Sequence, residues 1–114
     1  MGKPIVHEYG QEKTILKFFP YKGAACLVPQ SMGTVVDGKK IVKAGTPFPS
    51  NDDKALGVML HDVDVTQGDA AGTYVYEGVI DPDKLQEKNV TIELSAQKAM
   101  PNVQIYGKAY TFAP

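Results

Sequence analysis

The chain has 114 residues, of which 43% are hydrophobic, and this length and composition suit one folded domain with a modest core. A formal net charge of -1 gives no general electrostatic reason to bind nucleic acid or a membrane, and no apolar run approaches the roughly 20 residues of a membrane span. The single cysteine excludes an internal disulfide framework, and the N-terminus lacks a basic region followed by an apolar core, so we expect no signal peptide.

Residues 1–11 are polar and show no hydrophobic period, and we expect a flexible N-terminal arm. The alternative is an arm that becomes ordered on a partner, with Ile5, Val6 and Tyr9 as anchors beside Pro4. The rest of the chain, residues 12–114, is expected to form a single domain.

The first part of this domain is rich in strand-forming residues. Glu12–Phe19 predicts a strand that ends at Pro20, and Lys22 and Gly23 predict a turn. The small apolar run Ala24–Val28 follows.

A hairpin comes next, because Thr34–Val36 and Lys39–Val42 flank the dipeptide Asp37-Gly38. Asp-Gly suits the type I′ turn, in which both central residues need a positive φ. Ala44–Pro49 is then expected to leave the ladder, since proline donates no hydrogen bond.

The longest strand pattern is Ala55–Val65, in which apolar residues alternate as far as Leu60. After His61 the alternation changes phase, and the apolar positions become Val63 and Val65. Because a change of phase implies a bulge or bend, we expect one long strand that turns a corner near His61.

The C-terminal half continues with short elements. A loop is expected over Gln67–Gly72, followed by a strand on which Tyr74 and Tyr76 share one face and Val75 points to the other. Asp81 and Pro82 predict the N-cap and first position of a short helix. The remaining predicted elements are the end of that helix near Asn89, a strand at Val90–Leu94, a helical turn at Ser95–Met100, and strands at Val103–Tyr106 and Ala109–Phe112. The fold class is therefore mainly β with one or two short helices.

The candidate chemical groups form no recognisable site. Asp62–Thr66 resembles a calcium loop only faintly, since the glycine and glutamate that such a loop needs are replaced by Gln67 and Thr73, so we expect a solvated strand face. His61 and Asp62 are neighbours on a predicted strand and would point to opposite faces. Cys26 has only apolar neighbours and is expected to be a buried structural residue. The sequence predicts no catalytic, cofactor or metal site.

The stretch from the hairpin to the helix resembles the head decoration proteins of tailed bacteriophages, namely lambda-type capsid-stabilising proteins and related small head proteins of phages of Gram-positive bacteria. The resemblance covers about the last two-thirds of the chain, from roughly Val35 onwards. The segments that carry it are Val42–Thr46, Ala55–Met59 with Asp62–Val65, Gly72–Val79, and Asp81–Leu85.

This resemblance implies a β-clip, a bent two-stranded ribbon whose ends close into a partial barrel. It also implies a homotrimer that binds the major capsid protein on the outside of the virion after assembly in the host cytoplasm, and that stabilises the expanded, DNA-filled head. No enzymatic activity, cofactor, nucleic acid or membrane partner is implied. The N-terminal arm, Gly2–Gln11, would become ordered on the capsid through Pro4, Ile5, Val6 and Tyr9. The alternatives are a small-ligand or sugar-binding β domain and a head-fibre attachment module.

Overall fold

The computed structural model describes residues 14–105, and this part of the chain is 44% strand and 16% helix. The strands are β1 (Leu16–Val28), β2 (Thr34–Val36), β3 (Lys39–Val42), β4 (Pro47–Phe48), β5 (Gly57–Met59), β6 (Val63–Asp64), β7 (Ala70–Ile80) and β8 (Val103–Ile105). The helices are α1 (Pro82–Glu87), α2 (Leu94–Ala99) and a 3₁₀ turn at Gln30–Met32. The predicted fold class, mainly β with one or two short helices, is confirmed.

The strands form two open sheets, of five and three strands. In the larger sheet β7 pairs along its length with antiparallel β1, and its other edge carries antiparallel β5 and, further along, parallel β8. Strand β4 continues this sheet beyond β5, while β2, β3 and β6 make the smaller sheet. The long β1–β7 ribbon is thus the element to which most of the domain attaches.

Strand β1 does not end at Pro20 and does not turn at Lys22 and Gly23, so both of these predictions are wrong. The strand runs on to Val28 with three register shifts against β7, each of which accommodates unpaired residues. Proline is tolerated because β1 lies at the end of the sheet order. Gly23 is required by a close approach, since a Cβ there would lie 2.8 Å from the Tyr74 carbonyl oxygen.

The hairpin of β2 and β3 is confirmed, with Asp37 at φ 52° and Gly38 at φ 80°. The prediction that Ala44–Pro49 leaves the strand pairing after this hairpin is wrong in part. Pro47 and Phe48 form the two-residue strand β4, which pairs with β5. Proline is accommodated there because β4 is an edge strand.

The prediction of one long bent strand over Ala55–Val65 is wrong, although the phase change marked the right place. The segment divides into β5 and β6, which belong to different sheets. Leu60 still bonds to the larger sheet through its N–H and the Thr73 carbonyl, at 3.0 Å, whereas Val63 pairs with Val42 in the smaller sheet. The change in the apolar alternation therefore marks the point at which the chain passes from the larger sheet to the smaller one.

Two hydrophobic cores lie on opposite faces of the β5–β7 pair. Val58 and Val75, both 0% exposed, belong to the first core, whereas Met59, also 0% exposed, belongs to the second. The first core contains Ile15, Leu16, Ala44, Ala55, Val58, Leu60, Val75, Ile80, Leu85, Ile92, Ala96, Met100 and Val103. The second contains Val28, Val42, Met59, Val63 and Val65. All three residues of β5 are buried because both of its faces are covered.

Strand β7 begins at Ala70, so the predicted loop over Gln67–Gly72 extends too far. The predicted alternation within the strand is confirmed, because Val75 is buried while Tyr74 is half-buried and Tyr76 is exposed. The following helix is also confirmed: the Asp81 carboxylate accepts a hydrogen bond from the Asp83 N–H at 2.9 Å.

The predicted strand at Val90–Leu94 is wrong. Ile92 is buried in the first core, but the backbone on either side bonds to a side chain instead of a strand. The Asn51 amide donates to the Thr91 carbonyl and accepts from the Glu93 N–H, both at 2.8 Å. Helix α2 then begins at Leu94, one residue before the predicted helical turn.

The final predicted strands have different outcomes. Strand β8, Val103–Ile105, lies within the predicted Val103–Tyr106, while Ala109–Phe112 lies outside the described residues. Within residues 14–105, no helix is long and apolar enough to cross a membrane.

Candidate interaction surface

The residues predicted to contact a capsid lie outside the described part of the chain. Pro4, Ile5, Val6 and Tyr9 all precede residue 14, where the description begins. The arm prediction therefore stays a prediction.

Asp62 anchors the turn between the two sheets. Its carboxylate accepts a hydrogen bond from the Ala44 N–H at 2.8 Å and lies 3.0 Å from the Lys88 ammonium group at the end of α1. The neighbouring His61 is exposed. Both contacts of the carboxylate join parts of the fold, so its role here is structural.

Asp64, the second carboxylate of the faint calcium-loop pattern, is exposed and bonds locally. Hydrogen bonds from the Thr66 hydroxyl and from the Thr66 N–H, the latter at 2.9 Å, hold the pKa of Asp64 below its usual value. In the described residues, no group of three or more histidine, cysteine, aspartate or glutamate side chains is placed to hold a metal ion. Asp62 and Asp64 are both exposed, as expected of a solvated segment.

Cys26 packs against the second core from β1. Its side chain is half-buried, less than the buried position predicted from its apolar neighbours. Burial raises the pKa of the Cys26 thiol, which keeps it protonated and lowers its reactivity at neutral pH. The structural role predicted for it agrees with this environment.

Three aromatic rings form a row on the second-core side of the larger sheet. Phe48 of β4 stacks on Tyr74 of β7 with ring centroids 5.4 Å apart, and Tyr74 meets Tyr76 at 6.3 Å in a tilted arrangement. Tyr76 at the end of the row is 43% exposed. The alternation of β7 predicted the two tyrosines on one face, but Phe48 joins them only through the pairing of β4 with β5.

Two open clefts lie near β8. The first, about 320 Å³, lies where the bulged part of β1 passes β7 and β8, and its lining includes Tyr21, Lys22, Glu77, Asn102 and Gln104. The second, about 330 Å³, is more apolar and is lined by α2 and the chain that follows it, including Leu94, Met100, Pro101 and Val103. Both clefts are open to solvent, so a side chain or a small ligand can enter them.

Several large apolar side chains face solvent. Those with the greatest exposure are Phe18 at 48%, Leu27 at 63%, Val35 at 75%, Val36 at 40%, Leu56 at 54% and Tyr76 at 43%. Leu27, Val35 and Val36 belong to β1 and β2, which are joined by the short segment that contains the 3₁₀ turn. A contiguous group of such side chains would mark a protein contact, whereas apolar side chains exposed singly are common on protein surfaces. Sequence alternation missed these exposed positions because it cannot tell which face of a strand is left uncovered.

Comparison of the chain with protein-family models, with curated protein sequences and with solved structures finds no match.

Proposed function

We propose that this chain is a structural virion protein that decorates the outer surface of a bacteriophage capsid and stabilises the expanded, DNA-filled head. Its partner is the major capsid protein, on which three copies occupy a local three-fold position. The protein has no catalytic role and resides on the outside of the virion after assembly in the host cytoplasm.

The proposal is supported first by where the residues of the resemblance lie. The segments Val42–Thr46, Ala55–Met59 and Asp81–Leu85 supply members of both cores, including Val42, Val58 and Leu85. They are thus the scaffold of the domain, and a resemblance in these segments concerns the fold as a whole. The proposal also includes the β-clip fold, the bent ribbon that the resemblance implies for this domain.

The structural observation that carries the proposal is the exposed apolar surface on β1 and β2. Val35 is 75% exposed and Leu27 is 63% exposed in a domain whose two cores leave them uncovered. A contiguous exposed apolar patch marks a contact with another protein, and the proposal takes Leu27, Val35 and Val36 as parts of such a patch. A decoration protein requires such a contact and needs no cleft for chemistry.

Three copies make a weak contact effective. One small domain presents a limited interface, and interface area alone does not set affinity. When three copies are linked, the second and third contacts become intramolecular, so the avidity for the capsid rises. An arm that orders on binding adds contact at an entropic cost, which suits a capsid surface that appears only on expansion.

The test mixes the purified protein with undecorated expanded heads of its own phage. We expect the protein to sediment with the heads and to raise the temperature at which they release DNA. A full-length protein that neither co-sediments nor changes the release temperature would refute the proposal. Deletion of Gly2–Gln11 should weaken binding without unfolding the domain, and equal binding by the truncated protein would remove only the role of the arm.

A pair of variants on one hairpin tests the apolar surface. Val35→Asp replaces the exposed apolar side chain with a charged one, and we expect this variant to bind the heads less well. Lys39→Asp is the matched control, since Lys39 is also exposed and belongs to the same hairpin. If both variants bind the heads equally well, Val35 does not take part in the capsid contact.

A second candidate, a sugar-binding β domain, is favoured by the row of Phe48, Tyr74 and Tyr76. Aromatic rings offer a flat apolar face to a ligand, and Tyr76 is open to solvent. Ligand-detected NMR with sugars and nucleotides distinguishes the two functions. Saturation transfer that is lost in Tyr76→Ala would favour this candidate.

A further inference from the structure

In the described part of the chain, the second half of β1 is a strand edge that lacks the usual protecting features. From Gly23 to Val28 the strand pairs with β7 in regular register, and among residues 14–105 no strand pairs with its other side. Its first half carries Lys17, Pro20 and Lys22 together with the register shifts, all of which discourage the addition of another strand. Ala24–Val28 has no charge, no proline and no shift, so its outward backbone groups are a template for a further strand.

We propose that this edge pairs with the same edge of a second copy of the chain, antiparallel and around a two-fold axis at Cys26. In that register Ala25 lies opposite the partner's Leu27, and Ala24 lies opposite the partner's Val28. Each pair joins a small residue to a large one, so the segment is complementary to itself, as a two-fold contact requires. Leu27, which is 63% exposed in the single chain, gains cross-strand apolar neighbours.

Charges at the ends of the segment favour the same register. Lys22 lies just before the paired segment, and Gln30 begins the 3₁₀ turn just after it, so the register brings the long Lys22 side chain towards the partner's Gln30 turn. The Gln30 N–H donates to the Asp69 carboxylate at 2.8 Å, which places an exposed negative charge at that point. The Lys22 side chain is 65% exposed, and its Glu77 neighbour in the same chain is 3.9 Å away. The two-fold axis thus brings a Lys22 ammonium group and an Asp69 carboxylate towards each other at both ends of the paired segment.

This contact shares Leu27 with the proposed capsid surface, so a chain paired in this way presents only Val35 and Val36 of that surface to a capsid. A two-fold axis joins chains in pairs and cannot by itself relate three chains, so the contact either links chains of different trimers or pairs free chains. It stands whether or not the protein decorates a capsid, and its test uses the purified chain alone.

The first experiment oxidises the reduced full-length protein and follows cross-linked dimer by non-reducing electrophoresis. Opposed cysteines on paired strands lie within reach of a disulfide, so Cys26 should cross-link to the partner's Cys26. The control carries Cys26→Ser with Lys54→Cys, which moves the only cysteine to an exposed loop. We expect the natural protein to cross-link at least about tenfold faster, because pairing raises the local concentration of the thiols. Burial raises the pKa of the Cys26 thiol, so faster oxidation would not arise from its reactivity.

The second experiment tests the register through its charges. Lys22→Glu alone and Asp69→Lys alone each place like charges opposite each other twice, and we expect both variants to dimerise less in sedimentation velocity. In an equimolar mixture the hetero-pair restores both attractive contacts, so mixed dimers should form in preference to either homodimer. Leu27→Lys, at an exposed position, should abolish pairing without lowering the thermal unfolding temperature.

The outcomes separate clearly. Cross-linking no faster than in the Lys54→Cys control, with Cys26 still titratable by a thiol reagent, would overturn the proposal. A mixture of Lys22→Glu and Asp69→Lys that dimerises no better than the separate variants would overturn the register at Cys26. Rapid cross-linking together with selective mixed dimers would support both.

Discussion

Gly45 offers a sharp test of how the first core is closed. It lies just after β3 at φ +91°, where its N–H donates to the Met59 carbonyl at 2.7 Å. A Cβ at this position would lie 2.5 Å from Leu85 Cδ2 and 3.1 Å from Ile15 Cδ1, both of which are fixed in the core. We therefore predict that Gly45→Ala strongly destabilises the domain.

The magnitude has two parts. A left-handed backbone costs an L-residue about 1–2 kcal/mol relative to glycine. Forcing an additional methyl group into a packed core costs about 1–3 kcal/mol. The sum of about 2–5 kcal/mol is a large share of the about 5–15 kcal/mol that stabilises a typical domain.

Denaturant unfolding followed by circular dichroism measures this cost, and Gly38→Ala is the matched control. Gly38 also has a positive φ, +80°, but a Cβ there would meet no heavy atom within 4 Å. Only the backbone cost applies at Gly38, so Gly45→Ala should destabilise the domain by more than Gly38→Ala does. Equal losses would refute the packing argument. Leu85→Ala should also destabilise less in the Gly45→Ala background, because the space it vacates receives the new methyl group.

Other predictions concern polar contacts. Asp81→Ala removes the N-cap of α1 and should cost about 1 kcal/mol in thermal unfolding. Asp62→Ala leaves a backbone N–H without its charged acceptor and should cost about 1.5–3 kcal/mol, whereas Lys88→Met, which removes only the ion pair, should cost less than about 1 kcal/mol. The folded-state pKa values of Asp52, which accepts from the Ser50 hydroxyl and the Lys54 N–H, and of Asp64 are lowered. Their contribution to stability is therefore present above the unfolded-state pKa and lost as the pH falls through the folded-state pKa. Melting curves of Asp52→Asn with Asp64→Asn should show a smaller loss of stability in acid than those of the natural protein.

Elements specified by neighbouring residues could be predicted from the sequence. Asp37 and Gly38 determine their turn because both must adopt a positive φ, and no distant residue takes part. Asp81 caps α1 through an N–H only two residues away. In these places the chemistry that selects the structure is contained in a few adjacent residues.

Elements specified by distant residues could not be predicted in the same way. Gly23 lies in a strand because it pairs with Val75 of β7, and the nearby Tyr74 carbonyl leaves no room for a Cβ there. A glycine after a lysine is equally typical of a turn. The stretch around Ile92 alternates like a strand, but the Asn51 side chain takes the place of a partner strand. The exposure of Leu27 could not be predicted either, because it depends on which distant parts of the fold cover that face of β1.

The way the two cores share strands connects this fold to the interactions proposed for it. Among residues 14–105 the second core has five buried members, too few to be stable alone, and it persists because β5 and β7 also carry the first core. Val28 and Met59 of the second core hold the end of β1 against the sheet, so the neighbouring Leu27 is exposed on a supported strand. A surface that is already ordered before binding loses little conformational entropy on contact. Even a short apolar edge can therefore contribute usefully to association, and damage to either core should weaken binding through the same shared strands.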